Sequence, residues 1–545
     1  MKNDNHSEKQ NYIRELIAIF VVIVICPVIK QGIICNDEIL LRIWSQQGMA
    51  TFFKTTIYNE NILKGRILGT IGNLKFLGYL SQNKYIFRTI EALFLIAAIV
   101  LCSYIFYRIT KSKNYALILG ILISGFLPIT FELAVPNAHM IVCLQPMILL
   151  ELSIVFYLNY LENSQRRCLV LSMLLLIWAM FLYEFIITYI LIFPVIYFIK
   201  NINEEKVIKK TVQSVKPIIL VTIIYLILYV AQGKIFPTNY EGTMFEINSI
   251  MDILRTLKRL FITALPGYYL IDPKYRYLFK VYNNGDVNIE NIYNVRNLVF
   301  LIVLGLLLWK LIEVKEEHEK WNIKDSFICL TLLIYAVLPA LPNALTSLYQ
   351  SAVLGGDFRS IPVSIYLYCS ICFLIVYIIR KIGVRKQYCK VILVTVLLIC
   401  AGSIQIENNV FANEQSQNFK RIEAIEDVLR LDYWKAYGNI TINAPSLYKT
   451  ENTLAIEDGH WTTYASIYGN YLNIINDKSE DADLYIEMQN NNEFYVYNEN
   501  YDILITKQYD EGVVFVRNIQ GDDIQFKSGE LIDNEKEYKI YYLNR

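Results

Sequence analysis

The sequence is short of charged side chains and nearly lacks histidine. Only 19% of its 545 residues are charged, whereas a typical soluble domain has about 25%. The four histidines are too scattered along the chain to predict a histidine metal cluster. Lys and Arg number 51 and Asp and Glu number 50, so the formal charge is +1. That balance excludes a strongly basic protein that binds nucleic acid.

Familiar catalytic and nucleotide-binding motifs are also absent. The sequence has no phosphate-binding loop, no Rossmann glycine pattern, no HExxH and no nucleophile elbow. ATP-driven transport and soluble hydrolase chemistry therefore have little support. None of the ten cysteines falls in residues 407–545, which excludes a disulfide scaffold in that part of the chain.

What the sequence has in abundance is long apolar runs, since 55% of its residues are hydrophobic. Charge-free runs close to the ~17–25 residues that cross a bilayer as a helix recur up to about residue 406. The run at 168–199 is too long for one perpendicular helix, and Tyr183-Glu184 interrupts it, so a hairpin is preferred to a single tilted helix. Eleven spans are predicted, near 15–34, 91–109, 115–133, 139–160, 168–182, 184–199, 217–233, 297–313, 326–343, 361–379 and 391–406. The first span is expected to stay as a helix rather than be cleaved as a signal peptide.

The connections between these spans alternate in charge. Positively charged connections follow the spans that end near 109, 160, 199, 313 and 379, and the connections between them carry little or no positive charge. Because positive loops stay in the cytoplasm, the N-terminus is predicted inside and the C-terminal part outside. Residues 407–545 hold 25 acidic and 12 basic side chains, a net −13, which leaves +14 on residues 1–406.

These patterns predict a polytopic α-helical membrane protein with a small α+β domain at its C-terminal end. The membrane domain covers 1–406, with external loops at 36–90 and 234–296, and the extracytoplasmic domain covers 407–545. The second loop contains an amphipathic segment at 250–261, which could lie on the membrane surface or pack in an external domain. In the tail we expect a helix at 419–436 and short strands near 440–442, 483–488, 494–497, 502–506, 513–517 and 538–543.

Polar residues gather at the predicted outer ends of the apolar helices. Asp37 and Glu38 follow the first span, where a charge is costly unless it is solvated, paired or functional. They could simply cap a helix end. A carboxylate beside basic residues could also take a proton from an acceptor hydroxyl while the cations neutralise a departing phosphate. The other candidates for substrate or phosphate binding are Arg42, Lys64, Arg66, Glu132, His139, Tyr183, Glu184 and Arg359.

Asn36-Asp37-Glu38 after an N-in helix, followed by Gly65-Arg66, resembles the GT-C superfamily of polytopic membrane glycosyltransferases. The layout is most similar to bacterial serotype-converting glucosyltransferases. The resemblance implies a polyprenyl-phosphate-linked sugar donor, a cell-surface glycan or lipid acceptor, contact with membrane lipids and a location in the bacterial cell membrane. It implies Asp37 as the general base, with Glu38 as the second candidate, and Arg66 as a substrate or phosphate ligand. An acidic pair could also bind Mg²⁺ or Mn²⁺, although two carboxylates alone do not define a metal site.

Several interpretations stay open. Glu184 could assist the base or be a structural carboxylate of the hairpin, and Glu132 and His139 could belong to a site or to a loop. The Gly355–Arg359 segment could bind substrate or form a local turn. Glu151, in the middle of a span, could pair within the bundle or relay protons. Alternative functions are a flippase or transporter of a lipid-linked glycan, a polysaccharide polymerase or ligase, and a scaffold whose acidic tail binds wall components.

Overall fold

The computed structural model describes the larger part of the chain. It describes residues 4–30, 36–70, 72, 74–127, 140–201, 206–237, 249–263, 282–283, 286–287, 295–314, 321–347, 349–350, 361–384, 386–429, 439–443, 485–489, 503–507, 512–517, 529–535 and 538–543. For residues 4–13, 36–39, 75, 140–142, 263–287, 324, 361–366, 407 and 410–543, the description within those ranges covers the backbone alone.

The described chain is mostly helical, as its apolar runs predict. The first part contains α1 (Asp4–Lys30), α2 (Asn36–Gln46), α3 (Met49–Thr56), a π-helical segment (Ile57–Leu63), a 3-10 helix (Leu74–Gln82), α4 (Lys84–Thr110) and α5 (Lys113–Phe126). Next come α6 (Met140–Asn163), α7 (Arg166–Leu182), a 3-10 helix (Glu184–Leu191), α8 (Ile192–Lys200), α9 (Val207–Ile235) and α10 (Ile250–Thr263). The remaining helices are α11 (Val295–Leu311), α12 (Ile323–Val337), α13 (Ala340–Ala344), α14 (Ile361–Ile382) and α15 (Gln387–Leu429).

Five stretches of helix in the described chain are long and apolar enough to cross a membrane. They are Lys84–Thr110, Cys143–Asn163, Val207–Ile235, Asp325–Ala344 and Gln387–Ile406. Each coincides with a predicted span, and the protein is an α-helical membrane protein. α5 is apolar but has only 14 residues, about 21 Å of helix at 1.5 Å per residue. It is shorter than the ~30 Å hydrocarbon core of a bilayer.

The interruption predicted at Tyr183-Glu184 is present. α7 ends at Leu182, and Tyr183 has an extended backbone with φ −153° and ψ 120°. The chain then continues through the 3-10 helix and α8 to Lys200, whose Nζ lies 2.6 Å from Glu162 Oε1, close in sequence to where α7 begins. The chain therefore returns to the end of the bundle from which α7 started, as the hairpin requires.

One end of the helix bundle collects side chains from connections predicted to be positively charged. Glu162 binds Arg108 at 2.5 Å, Lys200 at 2.6 Å and Lys111 at 3.6 Å. Nearby in sequence, Asn114 Nδ2 donates to Glu313 Oε1 at 3.1 Å. Loops that the charge pattern assigns to one side of the membrane thus meet at one end of the bundle, which agrees with the alternation.

The amphipathic segment at 250–261 is found as α10, and its two halves differ. In the C-terminal half, Leu260 is buried, and Leu257 and Phe261 pack against the hydrophobic core. In the N-terminal half, Ile250 and Leu254 are exposed. The helix is therefore anchored in the bundle at one end and presents apolar surface at the other.

The last helix is longer than the sequence predicts. α15 runs without a break for 43 residues, about 65 Å at 1.5 Å per residue. It continues past residue 406, where the predicted membrane domain ends, as far as Leu429. The helix predicted at 419–436 is therefore confirmed from 419 to 429, but it is the continuation of the helix that contains the last apolar run and not a separate element. Residues 430–436 lie outside the described chain.

Beyond this helix the described backbone forms a six-stranded sheet. Its strands are β3 (Asn439–Asn443), β4 (Tyr485–Gln489), β5 (Ile503–Lys507), β6 (Gly512–Arg517), β7 (Gly529–Glu535) and β8 (Tyr538–Leu543), in the order β4-β3-β5-β6-β8-β7. β3 and β4 are parallel, with Ile440 opposite Ile486, and the other pairs are antiparallel. Five strands overlap predicted segments, β7 was not predicted, and 494–497 lies outside the description. A further two-stranded pair joins β1 (Tyr282–Asn283) to β2 (Asp286–Val287).

The packing of the backbone divides the chain into two compact units. The first consists of Met1–Ile29, Phe53–Phe76 and Arg88–Asn409, and it contains the apolar bundle. The second consists of Lys30–Phe52, Leu77–Phe87 and Val410–Arg545, and it contains the six-stranded sheet. The candidate site described next lies within the first unit.

Candidate functional site

Arg66 is the centre of a cluster of charged side chains at the bundle end opposite Glu162. Its Nη1 donates to Glu60 Oε2 at 3.0 Å, its Nε to Glu184 Oε2 at 3.2 Å and its Nη2 to Glu184 Oε1 at 3.5 Å. Lys64 Nζ lies 3.1 Å from Glu60 Oε1. The guanidinium carbon also lies 4.0 Å from the centre of the Tyr183 ring, within cation–π range. Two carboxylates, two cations and one aromatic ring thus meet at one place.

The backbone around Gly65 is what turns Arg66 toward these partners. The π-helical segment ends at Leu63, and Gly65 follows with φ +69°, a left-handed conformation that favours glycine. Two backbone bonds close the turn, Lys64 N to Asn59 O at 3.2 Å and Arg66 N to Glu60 O at 3.0 Å. The Gly65-Arg66 pair noted in the sequence therefore has a structural explanation, because glycine permits the turn that places arginine beside Glu60.

The segment that follows is held against the ends of three long helices. Leu68 N donates to Phe181 O at 3.2 Å, at the end of α7. Gly72 O accepts hydrogen bonds from Gln145 of α6 and Trp178 of α7, both at 2.9 Å. In α9, Gln232 Nε2 donates to Asn61 O. Groups near the ends of three apolar helices thus hold this segment, which follows directly on Arg66.

Close approach at Gly69 adds to this fixation. A Cβ atom at Gly69 would lie 2.8 Å from Arg66 Cβ and 2.9 Å from Glu60 Cβ. Those distances are shorter than van der Waals contact, so only glycine fits without a shift of the backbone. The glycine therefore allows the turns that carry Arg66 and Glu60 to pack closely.

The exposure of the charged groups is uneven. The Glu60 side chain is 3% exposed and that of Arg66 10%, whereas that of Glu184 is 31% exposed. Burial lowers the pKa of Arg66, but attraction to Glu184, Tyr183 and Glu60 outweighs burial and raises its pKa well above the ordinary value. Partial burial likewise raises the pKa of Tyr183, although Arg66 opposes that shift. Arg66 is thus permanently charged and Tyr183 is a neutral phenol.

Of the residues predicted from the sequence, the structure brings together Lys64, Arg66, Tyr183 and Glu184. Asp37 and Glu38 lie in the first turn of α2, at residues 36–39, of which the backbone alone is described, and Arg42 is a buried residue of the same helix. These three belong to the second unit. Glu132, His139 and Arg359 lie outside the described residues, as does the Gly355–Arg359 segment.

Sequence reasoning missed Glu60, the most buried carboxylate of the cluster. Its spacing of four residues from Lys64 is a signal that was available, since side chains at i and i+4 on one helix face can pair. Its partnership with Arg66 was not predictable from spacing, because it depends on the turn at Gly65. Gln145 and Trp178, which bind the Gly72 carbonyl, had no distinguishing pattern in the sequence.

Each nitrogen of the Arg66 guanidinium already donates a hydrogen bond to a carboxylate in this structure. Nε, Nη1 and Nη2 all face carboxylate oxygens of Glu60 and Glu184. A phosphate could reach the guanidinium only by replacing one of these partners, and the half-exposed Glu184 is the easier to replace. Binding an anion here is therefore an exchange of carboxylate for phosphate on the same arginine.

The two carboxylates of the Arg66 cluster do not fit a divalent cation. Glu60 and Glu184 both bind Arg66, and Glu60 also binds Lys64, so a metal ion between them would have to displace a guanidinium. Among the described residues, no group of three or more His, Cys, Asp or Glu side chains could hold a metal ion. The prediction of Mg²⁺ or Mn²⁺ at Asp37 and Glu38 stays a prediction.

Two comparisons with known proteins found no match. No protein-family model matches the chain, and no curated protein matches it in sequence. The assignment of function therefore depends on the residues and contacts above and on the resemblance noted in the sequence.

Proposed function

We propose that the protein is a membrane glycosyltransferase that moves a sugar from a polyprenyl-phosphate donor to an extracytoplasmic acceptor. The observation that supports this most is the cluster of Arg66 with Glu60, Lys64 and Glu184 at one end of an apolar helix bundle. A donor whose lipid chain lies in the bilayer would present its phosphate at such an end, where a guanidinium and an ammonium can neutralise it.

The proposed step is a direct displacement at the sugar. A carboxylate takes the proton of an acceptor hydroxyl, the freed oxygen attacks the anomeric carbon, and the bond from that carbon to the phosphate oxygen breaks. The polyprenyl phosphate leaves with the bonding electrons. Asp37 is proposed as the base with Glu38 as the second candidate, and Arg66 takes the phosphate by releasing Glu184. The sugar would pass to a cell-surface polysaccharide, a wall polymer or a glycolipid.

The proposed orientation follows from the opposite end of the bundle. Glu162 joins Arg108, Lys111 and Lys200 there, and basic connections remain on the cytoplasmic side. The proposal therefore has a cytoplasmic N-terminus, eleven spans, and an outer face that carries the Arg66 cluster. The tail from residue 407 would then be extracytoplasmic at the bacterial cell membrane, where its net negative charge keeps it away from anionic headgroups.

The test is transfer of label from a set of radiolabelled polyprenyl-phosphate hexoses to polymer and glycolipid in membranes that contain the protein. If Asp37 is the base, Asp37→Asn lowers the rate by about 100-fold or more, and Glu38→Gln does so if the second carboxylate acts. Glu313→Gln is a matched control, because Glu313 is exposed and bonds to Asn114 at the other end of the bundle. Full activity in both the Asp37 and the Glu38 variants would refute the base assignment.

A transporter of lipid-linked glycan is the second candidate, favoured by one observation. Glu151 is a carboxylate buried in the middle of a membrane helix, and such residues often mark translocation pathways. Movement of a fluorescent lipid-linked sugar across vesicles, without transfer of the sugar, would favour transport over the transferase.

A further inference from the structure

A cavity lies between helices of the bundle, and none of the side chains of the Arg66 cluster lines it. It is lined by α4, α6, the 3-10 helix that begins at Glu184, α8, α12 and α14, and its volume is about 120 Å³. Its lining is almost entirely aliphatic and aromatic, as Met147, Ile154, Ile196, Leu332 and Phe373 illustrate. Such a lining would suit a purely apolar occupant if it contained no polar group.

One carboxylic group breaks this apolar lining. Glu151 lies at the middle of the 24-residue helix α6, lines the cavity and is only 5% exposed. Its Oε2 has no hydrogen-bond partner among the described residues, and the hydroxyl of Tyr335, on the lining of the same cavity, has none there either. A buried polar group without a partner costs about 1–3 kcal/mol, and a charged one costs more. Two such groups in one cavity point to a partner that comes from outside the chain.

The other groups on the lining define what that partner must bring. The titratable side chains that line the cavity with Glu151 are Cys102 from α4, Tyr189 from the 3-10 helix, Tyr335 from α12 and Cys369 from α14. The lining includes no Lys, Arg or His. The rings of Tyr189 and Tyr335 are stacked, with centroids 5.4 Å apart and planes 9° apart. The site therefore offers a hydrogen-bond acceptor and aromatic surface but no positive charge.

These properties exclude most classes of ligand. An anion would meet no cation, and a hydrocarbon would leave the Glu151 carboxyl unpaired. An inorganic cation would require about six oxygen ligands, whereas the lining offers few oxygen atoms. A ligand that is itself a hydrogen-bond donor with an apolar body satisfies both the carboxyl and the aliphatic wall. A cavity of 150 Å³ in another protein holds benzene, so a volume of about 120 Å³ suits a body of about one ring.

We infer that the Glu151 cavity is a binding site for a small apolar amine. In the empty site Glu151 is the uncharged acid, because an isolated buried carboxylate is too costly. On binding of the neutral amine, the proton moves from the carboxyl oxygen to the amine nitrogen. The product is an ammonium–carboxylate pair, so no net charge enters the bundle. This site is separate from the proposed sugar transfer and stands whether or not that transfer takes place.

The test measures binding of radiolabelled benzylamine to the full-length protein in detergent, with empty micelles as the blank. Benzyl alcohol, which has the same ring without the basic nitrogen, serves as the competitor. We expect benzylamine to bind at least tenfold more tightly than benzyl alcohol. Glu151→Gln should weaken benzylamine binding at least tenfold and leave benzyl alcohol binding unchanged, while Glu151→Asp should retain part of the preference for the amine.

Two further variants keep the result interpretable. Ile154→Phe, which fills the cavity, should abolish binding of both compounds. Glu162→Gln changes the same residue type on the same helix outside the cavity and should leave benzylamine binding unchanged. The inference is overturned if the monodisperse wild-type protein does not bind benzylamine or if Glu151→Gln binds it normally. It is also overturned if Glu162→Gln weakens binding as much as Glu151→Gln does, or if sodium ions compete as well as the amine.

Discussion

Replacement of Arg66 by methionine should be among the most destabilising single changes in the charged cluster. The substitution keeps most of the volume of the side chain but removes every donor to Glu60 and Glu184. Glu60 is the decisive partner, because its side chain is 3% exposed and cannot recover water when the guanidinium is gone.

The expected magnitude follows from the exposure of each partner. Removing one member of a buried ion pair costs about 3–5 kcal/mol, whereas an exposed pair contributes about 0–1 kcal/mol. The Glu184 side chain is 31% exposed, so the loss of its pair with Arg66 should cost close to the value for an exposed pair. Lys64 still lies 3.1 Å from Glu60 and compensates in part. We therefore expect Arg66→Met to lower the free energy of unfolding by about 3 kcal/mol, at the lower end of the range for buried pairs.

The assay is reversible unfolding in mixed micelles of dodecyl maltoside and sodium dodecyl sulfate. Tryptophan fluorescence is a suitable signal, because Trp178 Nε1 donates to Gly72 O in the same region. In double-mutant cycles, the coupling of Arg66→Met with Glu60→Gln should be about 2 kcal/mol and that with Glu184→Gln about 1 kcal/mol or less. A loss below about 0.5 kcal/mol for Arg66→Met, or the opposite order of the two couplings, would refute the reasoning.

Two further predictions concern the same region. Gly69→Ala should cost about 1–3 kcal/mol, because its Cβ would lie under 3 Å from the Cβ atoms of Arg66 and Glu60, whereas Gly233→Ala, with nothing within 4 Å, should be neutral or stabilising by up to about 1 kcal/mol. Equal unfolding midpoints for the two alanine variants would contradict this. The raised pKa of Tyr183 keeps its phenol neutral in the folded protein when the unfolded chain ionises near pH 10. The stability that this tyrosine contributes is present below that pH and is lost as the pH rises above it, so Tyr183→Phe should lose less stability than the wild type between about pH 9 and 11. Equal alkaline slopes in the two proteins would contradict the assignment.

Local patterns were enough to predict the positions of many elements. The charge-free runs predicted the five long apolar helices, because hydrophobicity and helix length are properties of one contiguous segment. The break at Tyr183-Glu184 was predictable because a run that is too long for the bilayer must turn. Alternation and turn residues likewise predicted strands that overlap β3, β4, β5, β6 and β8.

The same local patterns gave wrong boundaries, or missed an element, where polar residues occur inside a helix or a strand. The polar stretch after residue 406 suggested that the apolar helix ends there, yet α15 continues to Leu429. Polar residues are compatible with a helix that leaves an apolar environment, so composition marks the change of surroundings and not the end of the element. The strand Gly529–Glu535 was missed because its charged and polar residues hide the alternation typical of a strand.

For the candidate site, the sequence predicted several of the residues but not the contacts between them. The sequence marked Lys64, Arg66, Tyr183 and Glu184 as polar residues at predicted helix ends, and the structure joins all four. It could not show that Arg66 binds Glu184, 118 positions away in the chain, because that contact requires two separate segments to fold against each other. Glu60 was missed for the same reason.

By itself, the sequence determined that this chain is a membrane protein, where five long apolar helices lie, and that the connections with Arg108, Glu162 and Lys200 share one end of the bundle. These properties follow from local hydrophobicity and charge, which act on each segment independently. Only the tertiary structure decided that Arg66 is held between two carboxylates and that Glu151 faces an apolar cavity without a described partner. Pairing and burial depend on which helices pack together, and that is a property of the whole bundle.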